Sequence, residues 1–70
     1  GAGRNPEPLS PRELQVYRLL GEGNATAAIA EKLGISRRTV DSFYARILEK
    51  LGVRGMEELR RRAASERDLG

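Results

Sequence analysis

The stretch GISRRTVDSFYARILEKLGV, Gly34 to Val53, decides how the chain is read. It opens on a glycine, the residue best able to take a left-handed turn, and Ser36 follows where a helix N-cap is expected. Ile35 is placed to staple against Val40. From there Val40, Tyr44, Ile47, Leu48 and Leu51 recur at helical spacing, with Phe43 at the edge of the stripe, until Gly52 ends the pattern. The spacing predicts a helix over about 36–51. Its polar side begins with Arg37 and Arg38 and then sets an acid, Asp41, among the cations.

Upstream, Thr26 to Leu33 reads as a short helix with Ile29, Ala30 and Leu33 facing inward. The turn around Gly34 then joins it to the longer helix. Two helices so joined form a helix-turn-helix, which carries the start of the second into a DNA major groove while the first spans the backbone. Helical pairs with a glycine turn also occur as plain architecture, so the pattern alone does not decide function. Before it, Ser10, Pro11 and Glu13 form a capping box with proline at the first helical position, and Leu9 and Leu14 stand where a hydrophobic staple would be. The first helix is expected from Pro11 to Gly21, burying Leu14, Tyr17 and Leu20 with support from Val16, and stopped by Gly21 and Gly23. After the quoted stretch, Met56 to Ala64 reads as a last helix with Met56, Leu59 and Ala63 on one side.

No run alternates with period two, so the fold class is all-α: four helices over residues 9–64, a central helix-turn-helix and no sheet. Residues 1–8, GAGRNPEP, are expected to be a flexible linker or an expression remnant, and residues 65–70 a frayed tail.

At 70 residues there is room for one domain. Without cysteine or histidine there is no disulfide framework, zinc finger, thiol nucleophile or imidazole base. No acid pair or nucleophile–base set stands out either, so the chain reads as no enzyme and as needing no cofactor or metal. No apolar run approaches the ~20 residues that span a bilayer, and no signal-peptide pattern opens the chain, which points to a soluble, intracellular protein.

The net charge of +3 is unevenly placed. From Ser36 to Arg54, Arg37, Arg38, Arg46, Lys50 and Arg54 stand against Asp41 and Glu49, while the segments on either side balance. A phosphate backbone would favour such a local excess, although a solvated, mildly basic helix would look the same.

The order LSPRE, GEG, AIAEKLGIS, TV and ILEKLGV, spread over Leu9 to Ala64, resembles the DNA-binding domain of the LuxR/NarL/GerE family of bacterial transcription regulators. The resemblance implies a four-helix output module of a larger protein, whose third helix reads double-stranded DNA. It also implies a fourth helix that pairs two copies as a homodimer on an inverted repeat, by way of Met56, Leu59 and Ala63. The isolated domain is then expected to be a monomer, with RNA polymerase as a further contact and the bacterial cytoplasm and nucleoid as its place of action. Carried over residue by residue, phosphate contacts fall at Thr26, Arg37, Arg38, Thr39 and Lys50, and base-facing positions at Asp41, Ser42 and Ala45, with Arg46 one residue further on. The chain departs from the family in having Asp41 where a cation is common and Phe43 where histidine is frequent. Ala25 replaces the usual serine cap, so that Asn24 or Thr26 must cap the second helix, and Met56 replaces the usual arginine.

Each of these residues also has a plainer reading. Arg37 and Arg38 could be solvated first-turn residues, although cations there oppose the helix dipole. Arg46 could simply be exposed. Asp41 could be a first-turn acid, a partner for Arg37 or Arg38, or an acceptor for cytosine N4. Tyr44 and Phe43 keep registry with the core, which favours packing over base stacking. Met56 and Leu59 could serve the core as well as a dimer surface. Two rival functions follow: the fourth region of a sigma factor, against which ILEKLGV and the further helix argue, and a protein-interaction module using the apolar stripe of the last helix.

Overall fold

The segments marked by caps and glycines are the four helices of the fold: α1 (Pro11–Gly21), α2 (Thr26–Leu33), α3 (Arg37–Leu51) and α4 (Met56–Leu69). The computed structural model describes residues 9–69, and no strand occurs among them. The expected linker, residues 1–8, lies outside the described residues.

α1 starts at the capping box read from the sequence. Glu13 N–H donates to Ser10 Oγ at 3.2 Å, and Ser10 N–H donates to Glu13 Oε1 at 2.9 Å. α3 starts at Ser36, whose Oγ accepts the Thr39 N–H at 3.0 Å. α2 is different: its N-cap is Ala25, and no side chain caps it. Neither expected substitute serves. Asn24 Nδ2 turns back to Leu19 O at 2.8 Å, closing α1 instead, and Thr26 Oγ1 lies 3.4 Å from the Tyr44 hydroxyl.

α2 and α3 end alike. Gly34 and Gly52 take φ of 70° and 69°, and the next residue's N–H reaches back to close the last turn, Ile35 to Ala30 O and Val53 to Leu48 O, both at 3.0 Å. This double bond pattern sets the angle at which the chain leaves α2 for α3. The stop of α1 needs only one of the two glycines assigned to it. Gly23, at φ 94°, makes the turn. Gly21 is the last buried residue of α1, and its role is close approach: a Cβ there would lie 2.6 Å from Ala63 O.

The core joins all four helices: Val16, Tyr17 and Leu20 from α1, Ile29 and Ala30 from α2, Val40, Tyr44 and Ile47 from α3, and Leu59 and Ala63 from α4, with Val53 from the loop. Each large side chain so enclosed contributes roughly 1.5–3 kcal/mol. The face of α1 is turned slightly from expectation, with Val16 fully enclosed and Leu14 only half-buried.

α4 is longer than the sequence pattern marked, and its apolar side is turned inward. The helix runs past Ala64 to Leu69, with Arg62 Nε bonded to Glu66 Oε2 at 3.3 Å one turn on. Arg62 Nη1 also donates to Leu51 O at 3.3 Å, placing a cation at the negative end of α3. The same pair lies near the buried Tyr17 hydroxyl, which has no hydrogen-bond partner; burial pushes this phenol up to about 12, with the Glu66 carboxylate adding to the shift. Leu59 and Ala63, expected at a dimer interface, are instead in the core at 0% and 3% exposure, because that side of α4 packs on α1. Met56 is half-buried against the same core. No helix among the described residues is long and apolar enough to cross a membrane.

Candidate nucleic-acid interface

α3 divides cleanly by exposure. Val40, Tyr44 and Ile47 are buried, while Arg37, Arg38, Thr39, Asp41, Ser42, Ala45, Arg46 and Glu49 are exposed. With Val40 and Ile47 both enclosed completely, the rotation of the helix is set, and the face opposite the core must carry Arg38, Ser42, Ala45 and Arg46. Of the four residues expected to face bases, Ser42, Ala45 and Arg46 lie on that face, and Asp41, also exposed, flanks it.

The phosphate-facing residues divide. Arg37, Arg38 and Thr39 occupy the first turn of α3, and all three are exposed. The Ser36 cap takes the Thr39 N–H, which leaves the N–H groups of Arg37 and Arg38 without an intrahelical carbonyl. The Thr39 hydroxyl lies 2.9 Å from Ser36 Oγ. Thr26 stands at the start of α2, where no side chain satisfies the first-turn N–H groups. Its hydroxyl contact with Tyr44 ties that start to the middle of α3.

Lys50 departs from expectation. Its ammonium lies 2.8 Å from Oε1 of Glu13, a carboxylate only 3% exposed. Its charge neutralises a buried acid of α1, so a phosphate at the position expected for it would have to compete with that acid. The bond from Lys50, with help from the Ser10 N–H, holds the Glu13 carboxyl below the usual carboxylate range. No local sequence signal marks this pair, whose members are 37 residues apart.

Asp41 is exposed and stands apart from the cations around it. It is the fifth residue of α3, beyond the first turn, where no acid occurs. No ion pair joins it to Arg37 or Arg38; among the described residues the ion pairs are Lys50–Glu13, Arg61–Glu57 and Arg62–Glu66. It is an exposed carboxylate flanking the accessible face of α3, beside Ser42, whose Oγ donates to Arg38 O at 3.3 Å. Phe43 is half-buried against the core and Tyr44 is buried, in keeping with packing. Arg54, exposed in the turn after α3, completes the cationic segment and received no role from the sequence.

Chemically, the surface offers cations and free N–H donors at the start of α3, and short polar and small side chains along its next two turns. That combination suits a polyanion with readable edges. Among the described residues no group of histidine, cysteine or acidic side chains is arranged to hold a metal.

Comparison with known proteins agrees with this surface. The family model described as "Bacterial regulatory proteins, luxR family" matches residues 7–63. Among curated proteins, the chain is 44% identical over 61 residues to the transcriptional regulatory protein UhpA of Escherichia coli (strain K12), covering 87% of this chain and 31% of that protein. The UhpA of Salmonella typhimurium is 48% identical over the same shares of both chains. The oxygen regulatory protein NreC of Staphylococcus aureus is 41% identical over 51 residues, 73% of this chain and 24% of that one. The chain thus spans about a third or less of the length of these relatives. No solved structure matches it at a significant level. The family match takes in α1, α2, α3 and the first half of α4, and the chain therefore belongs to the luxR family of bacterial regulatory proteins, as a DNA-binding helix-turn-helix domain of transcription regulation without enzymatic chemistry.

Proposed function

We propose that the chain is the output domain of a larger bacterial transcription regulator and binds double-stranded DNA sequence-specifically, with α3 in the major groove. The observation that carries this reading is the accessible face of α3, where Ser42, Ala45 and Arg46, flanked by Asp41, lie on one side of a helix whose start is cationic. Arg37, Arg38 and Thr39 grip phosphate, and so does the uncapped start of α2 at Thr26. Binding energy comes mainly from release of counterions, and selectivity comes from the base-facing side chains.

Two copies pair through α4 on an inverted repeat. Because Leu59 and Ala63 are consumed by the core, the pairing surface falls on the exposed side of that helix, around Glu57, Arg60 and Arg61, with the half-buried Met56 and Ala64 at its margin. The single domain is a monomer that dimerises on DNA, acts in the cytoplasm at the nucleoid, and stands where RNA polymerase can touch it. A role as a pure protein-interaction module has less support, since Leu59 and Ala63 of the apolar stripe that suggested it are buried.

Selecting bound duplexes from a random pool tests the reading. Enrichment of a common half-site, repeated in inverted orientation, is the expected result. Recovery of no preferred sequence, or binding that does not weaken as salt rises, would overturn it.

A further inference from the structure

Glu13 is the only charged side chain buried among the described residues, and its partner sits on the helix assigned to DNA reading. We propose that Glu13 is a positioning residue for sequence recognition: through Lys50 its carboxylate fixes the tilt of α3 on α1, so that the base-facing side chains reach their edges. The proposal rests on α3 being the reading helix.

The geometry is that of a fixed anchor. Oε1 of Glu13 accepts both the Ser10 N–H at 2.9 Å and Lys50 Nζ at 2.8 Å. The capping box ties the same oxygen to the Ser10 backbone, which limits how far the carboxylate can swing to follow a displaced ammonium. An enclosed ion pair with fixed partners adds little net stability over apolar packing, and its best-attested use is to set register between elements. Lys50 lies in the last turn of α3, and Asp41 lies nine residues earlier, about 13 Å along the axis at ~1.5 Å per residue. A tilt of about 5° about that anchor moves the Asp41 end by about 1 Å, which is enough to break a base-edge hydrogen bond. Arginines gripping phosphate have long flexible stems and tolerate the same shift. Loss of the pair should therefore lower discrimination while leaving general affinity for DNA in place.

Glu13→Gln in the 70-residue chain gives a test whose sign separates the alternatives. Removing a negative charge from a DNA-binding domain should, on charge alone, tighten binding to every duplex. Positioning predicts the reverse for one of them: affinity for the duplex selected from the random pool falls by about tenfold, and affinity for a scrambled duplex of equal length stays within about twofold. Lys50→Met should behave alike with an unchanged log-log salt slope, and Lys50→Arg, which keeps the ion pair, should restore selectivity. A loss shared by both duplexes together with a slope reduced by about 1 would make Lys50 a phosphate contact and overturn the proposal. Unchanged selectivity in folded Glu13→Gln would overturn it as well. If a single variant fails to fold by circular dichroism, the double variant Glu13→Gln/Lys50→Met leaves no buried charge unpaired and carries the same expectation. A wild-type chain that prefers no duplex defeats the functional reading itself, whereas selective wild type with equally selective variants defeats only the positioning role.

Discussion

Replacing Arg37 and Arg38 together by alanine separates a functional from a structural role for the start of α3. Both side chains are exposed, neither is in an ion pair, and both belong to the first turn. Each phosphate neutralised contributes about 0.9 to the negative slope of log affinity against log salt, so two contacts contribute ~1.8. Between 50 and 200 mM salt, about 0.6 of a decade, wild type should lose roughly 12-fold more affinity than the variant. Stability should move the other way. Cations at a helix N-terminus oppose the dipole, so their removal stabilises the fold by about 0.3–1 kcal/mol each at low salt. Fluorescence anisotropy on a labelled duplex across a salt series gives the slope, and thermal unfolding by circular dichroism gives the stability. A slope that does not change, or one that falls only in step with a loss of folded protein, would refute the phosphate assignment.

Three further outcomes are expected. Asp41→Lys should tighten binding to scrambled duplexes and enrich a different half-site in selection from random pools; the same half-site at the same affinity would remove Asp41 from base reading. Gly21→Ala must push the α1–α4 crossing apart, since its Cβ would meet Ala63 O at 2.6 Å, and should destabilise by about 1–3 kcal/mol in a denaturant titration; an unchanged midpoint would contradict the crossing. The Glu13 carboxyl is held below its unfolded value, near ~4.3, so its contribution is present above that pH and is lost as pH falls through the lower folded value. Acid unfolding followed in wild type and Glu13→Gln should accordingly show the wild-type advantage shrinking below about pH 4, and a difference independent of pH would exclude the linkage.

Local chemistry made the helices legible. Ser10 with Glu13, Ser36, and the glycines at 34 and 52 each act within one turn of their own position, and the structure places α1, α2 and α3 where those residues said. The exposed side of α3 was legible for the same reason, since Val40, Tyr44 and Ile47 fix its phase. What could not be read were contacts made across the chain. Lys50 looks like any cation on a basic helix until α1 brings a buried acid to it, and Leu59 and Ala63 look available for a partner until α1 covers them. Gly21 passed for a helix stop because a close crossing leaves no mark on one strip of sequence. The extension of α4 does leave a local signal, Arg62 and Glu66 at i, i+4.

Where α4 rests has a consequence for how such a domain can diversify. Its buried side lies mainly on α1 and only lightly on α3, where Arg62 reaches the final carbonyl of α3. Substitutions on the outer side of α4 and on the outer side of α3 then have few neighbours in common, and effects at sites without shared partners add rather than interfere. With pairing on α4 and DNA reading on α3, as proposed, choice of companion and choice of target can drift on separate schedules, so a lineage built on this fold is free to change one without first undoing the other.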